Sequence, residues 1–559
     1  MKEIFDAVVV GSGLSGGWAA KELTEKGLKV LLLERGRTVE HRKDYPTAFT
    51  EVWELPYRGR MDLKTRQDYW ANVRTGYTAN AEYRHFFTRD ADHPYEEEKA
   101  FTWVRGYQTG GRSLMWGRQS YRFSDLDFEA NAREGIAIDW PIRYKDLLPW
   151  YSYVEKFAGI SGQAEGWDTL PDGEFQPAME MNCVEREVRQ RLKKTLGRRM
   201  TVGRVANLTR PTEEQMALGR TSCQFRNRCM RGCPYGAYFS SQSATLPAAQ
   251  RTGNLTLVSG KIVHQVIFDD TKGRAVGVKT VDLHTKEETE YYGRIIFLNA
   301  SAINTAWVMM QSVSRTHPNG LGNESGQLGR NIMDHHKSLA IQGTFEGFKD
   351  RYYFGKRPNG IYIPRFVNMG ADRRDFLRGF GYQGGADRSA AGSDAPFGAK
   401  LKGDYSRLGP WTFRLQGFGE ILPVESNHFT LSGEKDAWGL PIIRFDAALT
   451  DNEYKMKACM VEEGIKIMEA AGLKNIHTYE TQKSVPGISI HEMGTARMGH
   501  DPRTSVLNAH NQVWNAPNVF VTDGAAMVSA SNVNPSLTYM ALTARAADFA
   551  VAEMKRGNL

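Results

Sequence analysis

Three groups of residues in this chain have types and spacings suited to chemistry. The first is Gly11, Gly13 and Gly16, a GxGxxG that follows the short run Ala7-Val8-Val9-Val10. The first glycine lets the chain turn, the second lets backbone approach a pyrophosphate, and the third lets the next helix sit close to the sheet. That helix, expected over 15–26, offers its free N–H groups to the phosphates. A second apolar run, Val30 to Leu33, ends in Glu34, where an acid that takes a ribose hydroxyl belongs. Strand, turn, helix, strand and acid in this order point to a bound dinucleotide rather than to an ordinary glycine turn.

The second group closes the chain. His491 lies on a glycine-flanked turn, His491-Glu492-Met493-Gly494-Thr495, and Asn534 follows 43 residues later in Asn534-Pro535-Ser536. A histidine, with an ordinary pKa of about 6.5, can take a hydroxyl proton, and an amide can hold the same hydroxyl without being charged. A plainer role competes for Asn534, as N-cap of the last helix with Pro535 at its first position. Between the two, Val519 to Thr522 reads as a strand ending at Asp523 and Gly524.

The third group is Cys223, Cys229 and Cys233, a C-x5-C-x3-C with Pro234 behind it; Cys183 and Cys459 stand alone, so the layout is not a disulfide scaffold. Thiolates so spaced can converge on one soft metal centre, and Arg220, Arg226, Arg228 and Arg231 would offset a negative cluster. An iron–sulfur cluster is the leading reading, with three irons for three thiolates. Structural zinc, a disulfide and no metal at all are the alternatives; zinc would need a fourth ligand from afar.

The elements that must position these groups read as follows. Gly110-Gly111 before Arg112-Ser113, with Gly117 behind, would let backbone lie flat against a flat, charged ligand. Asn254 to Leu283 alternates like a hairpin, and Ile295 to Leu298 is a buried strand that meets Asn299 at a helix start, so the dinucleotide domain is discontinuous. The aromatics between Thr38 and Phe101 (Trp53, Tyr57, Tyr69, Trp70, Tyr77, Tyr83) read as core more than as ligand cover. Asp125 to Gly162 reads as the first excursion into a second domain, and Val184 to Leu196 as a surface helix. From 337 to 487 the pattern is of longer alternating strands, with a helix over 453–471. The seven glycines from Gly379 to Gly403 suggest a surface loop.

A length of 559 residues favours two large domains. The chain is 41% hydrophobic and 24% charged, and its 72 basic and 64 acidic residues give +8 without a basic block, which argues against nucleic acid as a partner. No apolar run is long enough to span a membrane, and the dinucleotide motif begins so near Met1 that no signal peptide is expected.

Taken together, GSGLSGG with Glu34, the Gly110-Gly111 loop, the strand before Asn299, HEMGTARMG and the Asp523-Gly524…Asn534-Pro535 terminus resemble the glucose–methanol–choline (GMC) oxidoreductases from first strand to last helix. The resemblance implies an α/β fold: a Rossmann-like FAD-binding domain over 1–125, 250–336 and 488–559, and a discontinuous α+β substrate domain on an antiparallel sheet over 126–249 and 337–487, with the Cys-rich loop 223–233. It makes His491 the catalytic base and Asn534 the second active-site residue. Flavin contacts map to Gly11, Gly13, Gly16, Glu34, Gly110, Gly111, Ser113, Asp523 and Val263. The loop lacks the histidine that tethers flavin in some relatives, so FAD is expected to be non-covalent; as a separate departure, it carries Trp116 where many relatives have Asn before the loop's last glycine.

Gly419-Glu420-Ile421-Leu422-Pro423, Asn427 and Asp436 to Pro441 are similar to bacterial FAD-dependent sugar dehydrogenase subunits (glucose, gluconate, fructose and glucoside 3-dehydrogenases). Some of these hold a [3Fe-4S] cluster on a loop that Cys223, Cys229 and Cys233 fit. The likeness implies oxidation of a sugar hydroxyl, foremost C3 of glucosides and next C1 of aldoses. It also implies a small Tat-exported partner subunit, a cytochrome c acceptor, and a periplasmic location by co-export, or a cytoplasmic one without the partner. The rival readings are a GMC alcohol oxidase and a flavin and iron–sulfur electron-transfer subunit with no substrate of its own.

Overall fold

The computed structural model describes residues 3–353, 357–390, 392, 397–480 and 484–559. Two sheets dominate it. In the first, the strand Ile4–Val10 is flanked by Val30–Glu34 and Glu288–Leu298, with Leu255–Ser259 and Ala516–Val521 outside them, all parallel. Val8, Val10, Leu31 and Leu33 pack to one face and Ala7, Val9, Val30 and Leu32 to the other, so these strands read as unbroken apolar runs. The hairpin Lys261–Asp269 and Arg274–Asp282 joins through antiparallel pairing to Glu288–Leu298.

One face of this sheet is covered by the helices Leu14–Glu25, Thr245–Arg251 and Ser536–Arg556. Tyr144–Ala158 packs along the last of these. Fully buried Trp18 meets Tyr153 and Phe157 edge-on, so this helix belongs with the nucleotide half and not with the second domain expected from sequence.

The second sheet is antiparallel, in the order Lys474–Glu480, Leu339–Phe345, Leu408–Glu420, Phe380–Ala390, Ile361–Ile363 and Thr201–Val202. Phe380–Ala390 is thus an interior strand, not the surface loop suggested by its glycines. Those glycines permit close strand packing: a Cβ on Gly384 would lie 2.0 Å from the Arg414 carbonyl oxygen, and one on Gly381 2.7 Å from that of Ile363. Residues 391 and 393–396 of the same stretch lie outside the described residues, and Gly398–Tyr405 is a helix.

Asp451–Ala470 begins at a capping box of Thr450 and Glu453 and lays Met456 and Met460 over Gly417 and Gly419 of the neighbouring strand. Cys183–Leu196 is not a free surface helix, because Val184, Val188 and Leu192 are buried where it packs on Asp451–Ala470. Of the six aromatics expected as core in 38–101, Tyr69, Trp70 and Tyr83 are half-buried against a cluster that includes Tyr45, Phe86 and Phe87, whereas Trp53, Tyr57 and Tyr77 are exposed.

Arg378, wholly buried, ties the two halves together. It pairs with Glu134 and with Glu420 (3.2 Å) and donates to the Ala130 carbonyl, while Glu420 accepts the backbone N–H of Ala530. Arg378→Met should cost about 3–5 kcal/mol, because it strands buried carboxylates; urea unfolding measures it, and a loss under 1 kcal/mol would contradict the role.

Candidate functional site

A cavity of about 430 Å³ runs from the glycine turn to the C-terminal histidine. At its nucleotide end Gly11 has φ +91°, and a Cβ there would meet the Asn299 carbonyl oxygen at 2.5 Å. A Cβ on Gly16 would lie 1.7 Å from the Gly11 oxygen, so this glycine sets the approach of the first helix and lines no part of the cavity. Gly13 is different: no protein atom lies within 4 Å of its would-be Cβ. That open cradle, at the N-terminus of Leu14–Glu25, is where a pyrophosphate fits.

Glu34 ends the second strand, buried, and accepts Ser12 N–H (3.1 Å), Ser12 Oγ–H and Gly36 N–H (2.9 Å). Burial pushes its carboxyl up. Ser12 Oγ in turn accepts Gly110 N–H (2.9 Å), which locks the two glycine loops together; a Cβ on Gly111 would touch the Gly13 Cα at 3.4 Å. Gly110, with φ +87°, faces Gln242 instead of the cavity, and Ser113 bonds back to the Gly110 carbonyl while accepting from Ser241 N–H. Gly11, Gly13, Glu34, Gly111, Ser113, Val263 and Asp523 line the cavity; Gly16 and Gly110 support it from behind.

Asp523 follows Ala516–Val521 and accepts Thr305 Oγ–H (2.6 Å) and Ala525 N–H (2.9 Å), with burial pushing its carboxyl up to about 6. Asn299 Nδ2 and Tyr539 Oη line the same cavity, buried and without a hydrogen-bond partner among the described residues. Orphaned donors beside an open glycine cradle are what a polar cofactor would satisfy, and Trp116 closes the wall by donating Nε1–H to the Phe239 carbonyl (2.8 Å).

At the other end stand His491 and Asn534. The two oxygens of buried Asp334 accept the backbone N–H groups of Ser489 (2.9 Å) and His491 (3.1 Å). His491 Nδ1 is 3.1 Å from His335 Nδ1, and its Nε2 has no hydrogen bond among the described residues. Burial, with help from His335, Lys337 and Arg112, holds the His491 ring well below the ordinary histidine range, so the ring is neutral. Asn534 Oδ1 accepts Gln383 Nε2–H (2.7 Å), which leaves the amide N–H groups facing the cavity. It is not the helix cap expected from sequence: the helix is Ser536–Arg556, and Pro535 takes the cap position.

Family models of GMC oxidoreductases match residues 5–337 and 423–543. The chain belongs to this family. It is 30% identical to a 2-methyl-1,2-propanediol dehydrogenase of Mycolicibacterium austroafricanum, over 97% of this chain and 94% of that one. It is 26% identical to the fructose dehydrogenase large subunit of Gluconobacter japonicus, over 99% and 98%. Among solved structures, formate oxidase of Aspergillus oryzae superposes over 99% of both chains with a TM-score of 0.63 at 14% identity, which carries the fold. This GMC oxidoreductase therefore binds FAD, acts on CH–OH donors and resembles bacterial sugar dehydrogenase subunits.

In this GMC chain the cysteine loop lies on the wall of the same cavity. Met230 lines it, while Cys229 lines a second, polar cavity of about 890 Å³ that shares Arg118, Gln119, Asn359, Gln383 and Gln416 with the first. All three thiols are free. Burial pushes Cys223 up to about 11, and Cys229 and Cys233 sit near enough to add to the effect; Cys223 Sγ accepts Phe225 N–H (3.5 Å). Cys233 is raised by burial too, with the N–H groups of Ala237, Tyr235 and Tyr238 acting in the opposite direction.

Of the four arginines expected to face this loop, three are engaged elsewhere. Arg226 donates to the Ala48 carbonyl (2.5 Å), Arg228 pairs with Glu51, and Arg231 pairs with Glu82. Arg220, fully buried and lowered to about 9 by burial, has Cys233 as the charge that opposes that lowering.

Asp334, His335, Lys337, Gln383, Arg112 and Glu492 were not singled out by sequence. The run Asp334-His335-His336-Lys337 is four titratable residues at the start of an apolar strand, and it is the signal that could have found them. Gly13→Ala should leave the apoprotein's thermal midpoint unchanged and weaken FAD by about tenfold or more, whereas Gly16→Ala should lower the midpoint itself. Flavin retention on gel filtration with apoprotein melting separates the two, and equal melting losses would contradict the division of roles.

Proposed function

We propose that this enzyme is a sugar dehydrogenase that oxidises a ring hydroxyl, foremost C3 of glucosides. The observation that carries the reading is the placement of a neutral His491 and an aimed Asn534 amide at one end of the cavity whose other end is the Gly13 cradle. FAD, when bound, supplies the hydride acceptor. Asn534 donates to the substrate hydroxyl oxygen, and Gln383 fixes which way that amide points. His491 Nε2 takes the hydroxyl proton.

His335 and His491 face each other through their Nδ1 atoms at 3.1 Å. Burial lowers the His335 ring to about 3, so it is neutral, and its buried Nε2 has no hydrogen-bond partner among the described residues. A proton on His335 Nε2 makes its Nδ1 an acceptor; His491 then donates from Nδ1 and keeps Nε2 bare. Arg112 pairs with Glu492 (2.7 Å), joining the glycine loop to the segment that carries the base.

Cys223, Cys229 and Cys233 would hold a [3Fe-4S] cluster, which would supply one-electron exchange with an outside acceptor. Three thiols free of disulfides whose charges act on one another support that reading, although their Sγ atoms do not all lie within 4.8 Å of one another. With it go a small Tat-exported partner subunit, a cytochrome c acceptor and periplasmic co-export. A second reading, a small non-sugar vicinal alcohol, is favoured by the likeness to the diol dehydrogenase.

Anaerobic titration with methyl β-glucoside, which has no free anomeric hydroxyl, should bleach the flavin. Bleaching by glucose alone would move the reaction to C1, and bleaching only by 2-methyl-1,2-propanediol would establish the second reading.

A further inference from the structure

Each carboxylate lining the first cavity has a partner within the protein: Glu34 in Ser12 and Gly36, Asp523 in Thr305 and Ala525, and Glu492 in Arg112 through Oε2, its buried Oε1 having no hydrogen bond among the described residues. The cations are not matched in the same way. Arg105 pairs with Asp90, Lys261 with Asp282 and Arg112 with Glu492. Among the described residues, Arg35, Arg118 and Lys337 line the cavity without an ion pair. Arg35 follows Glu34 and lies over the Tyr107 ring, at the nucleotide end.

Lys337 is at the substrate end. Its backbone carbonyl accepts Gln416 Nε2–H (2.7 Å), and its charge acts on the His491 ring. The ammonium lies over the Tyr77 ring (4.4 Å), donates to Tyr77 Oη (3.1 Å), and reaches the Ser489 carbonyl only at 3.5 Å. Among the described residues, one of its three N–H groups has no acceptor. Arg118, buried, donates to the Trp116 carbonyl, and its Nε has no partner among the described residues. Neither cation makes an ion pair among the described residues, although the buried Asp334 carboxylate acts on Lys337 from nearby; in a walled cavity each still carries a desolvation cost that an incoming anion would offset.

We infer that Lys337 is a carboxylate-binding residue: the alcohol oxidised here belongs to a molecule that also carries a carboxylate, which the Lys337 ammonium holds while the hydroxyl lies against His491 and Asn534. Arg118 adds to the positive field. This rests on the sugar-hydroxyl reading above and narrows it to acidic sugars.

A matched pair of substrates tests it on the FAD-loaded enzyme. Methyl β-glucoside and methyl β-glucuronoside differ only in a CH₂OH against a carboxylate. The glucuronoside should half-saturate anaerobic flavin reduction at a concentration at least about tenfold lower. Lys337→Met should erase the difference, and Lys337→Arg should keep part of it.

Acetate, which is not oxidised, supplies a readout without turnover: it should perturb the oxidised flavin spectrum of the wild type and not of Lys337→Met. If neither sugar bleaches the flavin while acetate behaves so, the carboxylate site stands and the sugar reading falls. Equal half-saturation by the two glycosides, or acetate that perturbs both proteins alike or neither, overturns the inference.

Discussion

The site depends on one buried carboxylate. Asp334 holds the backbone of Ser489 and His491 with its two oxygens. Met333 and Met493 exchange backbone hydrogen bonds beside it. The next two residues, His335 and His336, pair with Glu420 and Gly419 on the second sheet. A single turn of chain thus registers the proposed base against both halves of the molecule. Burial, aided by the nearby Glu492, pushes the Asp334 carboxyl up, so this anchor is itself held at an electrostatic cost. Loss of either oxygen would leave a buried N–H unpaired, at about 1–3 kcal/mol.

Around this anchor the protein spends charge on geometry. Arg112 and Glu492 link the glycine loop to the base segment, and Arg378 with Glu134 and Glu420 links the nucleotide half to the second sheet. Buried pairs of this kind add little net stability but make every departure from the native arrangement expensive. That is the property a hydride-transfer site needs, because its two reacting partners must stay aligned. The cysteine loop follows a different logic. Its arginines brace the surrounding backbone, while the thiols of Cys223 and Cys233 sit half-buried against backbone N–H groups and act on one another.

Much of the nucleotide half was legible in the sequence, because short parallel strands, glycine turns and a terminal acid are local signals. The strands Ile4–Val10 and Val30–Glu34, Glu34 at the end of the second, and the open cradle at Gly13 follow from residue type and spacing. What was missed is what depends on distant partners. The glycines of Phe380–Ala390 look like a loop until strands on either side require the missing Cβ atoms. Tyr144–Ala158 goes with the first sheet because Trp18 lies beneath it. Asn534 resembled a cap because Gln383, 151 residues away, could not be seen as its partner. Lys337 likewise looked like any lysine at a strand start until the cavity beside it was visible.

The central claim is that burial and neighbouring positive charge keep His491 neutral, so that it acts as a base without first losing a proton. The direct measurement is the pH dependence of anaerobic flavin reduction by the best alcohol substrate, in the wild type and in His491→Ala. A base with a lowered pKa is active above that pKa and fails as pH falls through it. The account predicts a wild-type acid limb well below pH 6.5, and a His491→Ala protein that retains FAD but reduces it at least about a hundredfold more slowly at every pH. An acid limb at or above pH 6.5, or near-normal reduction by His491→Ala, would contradict it.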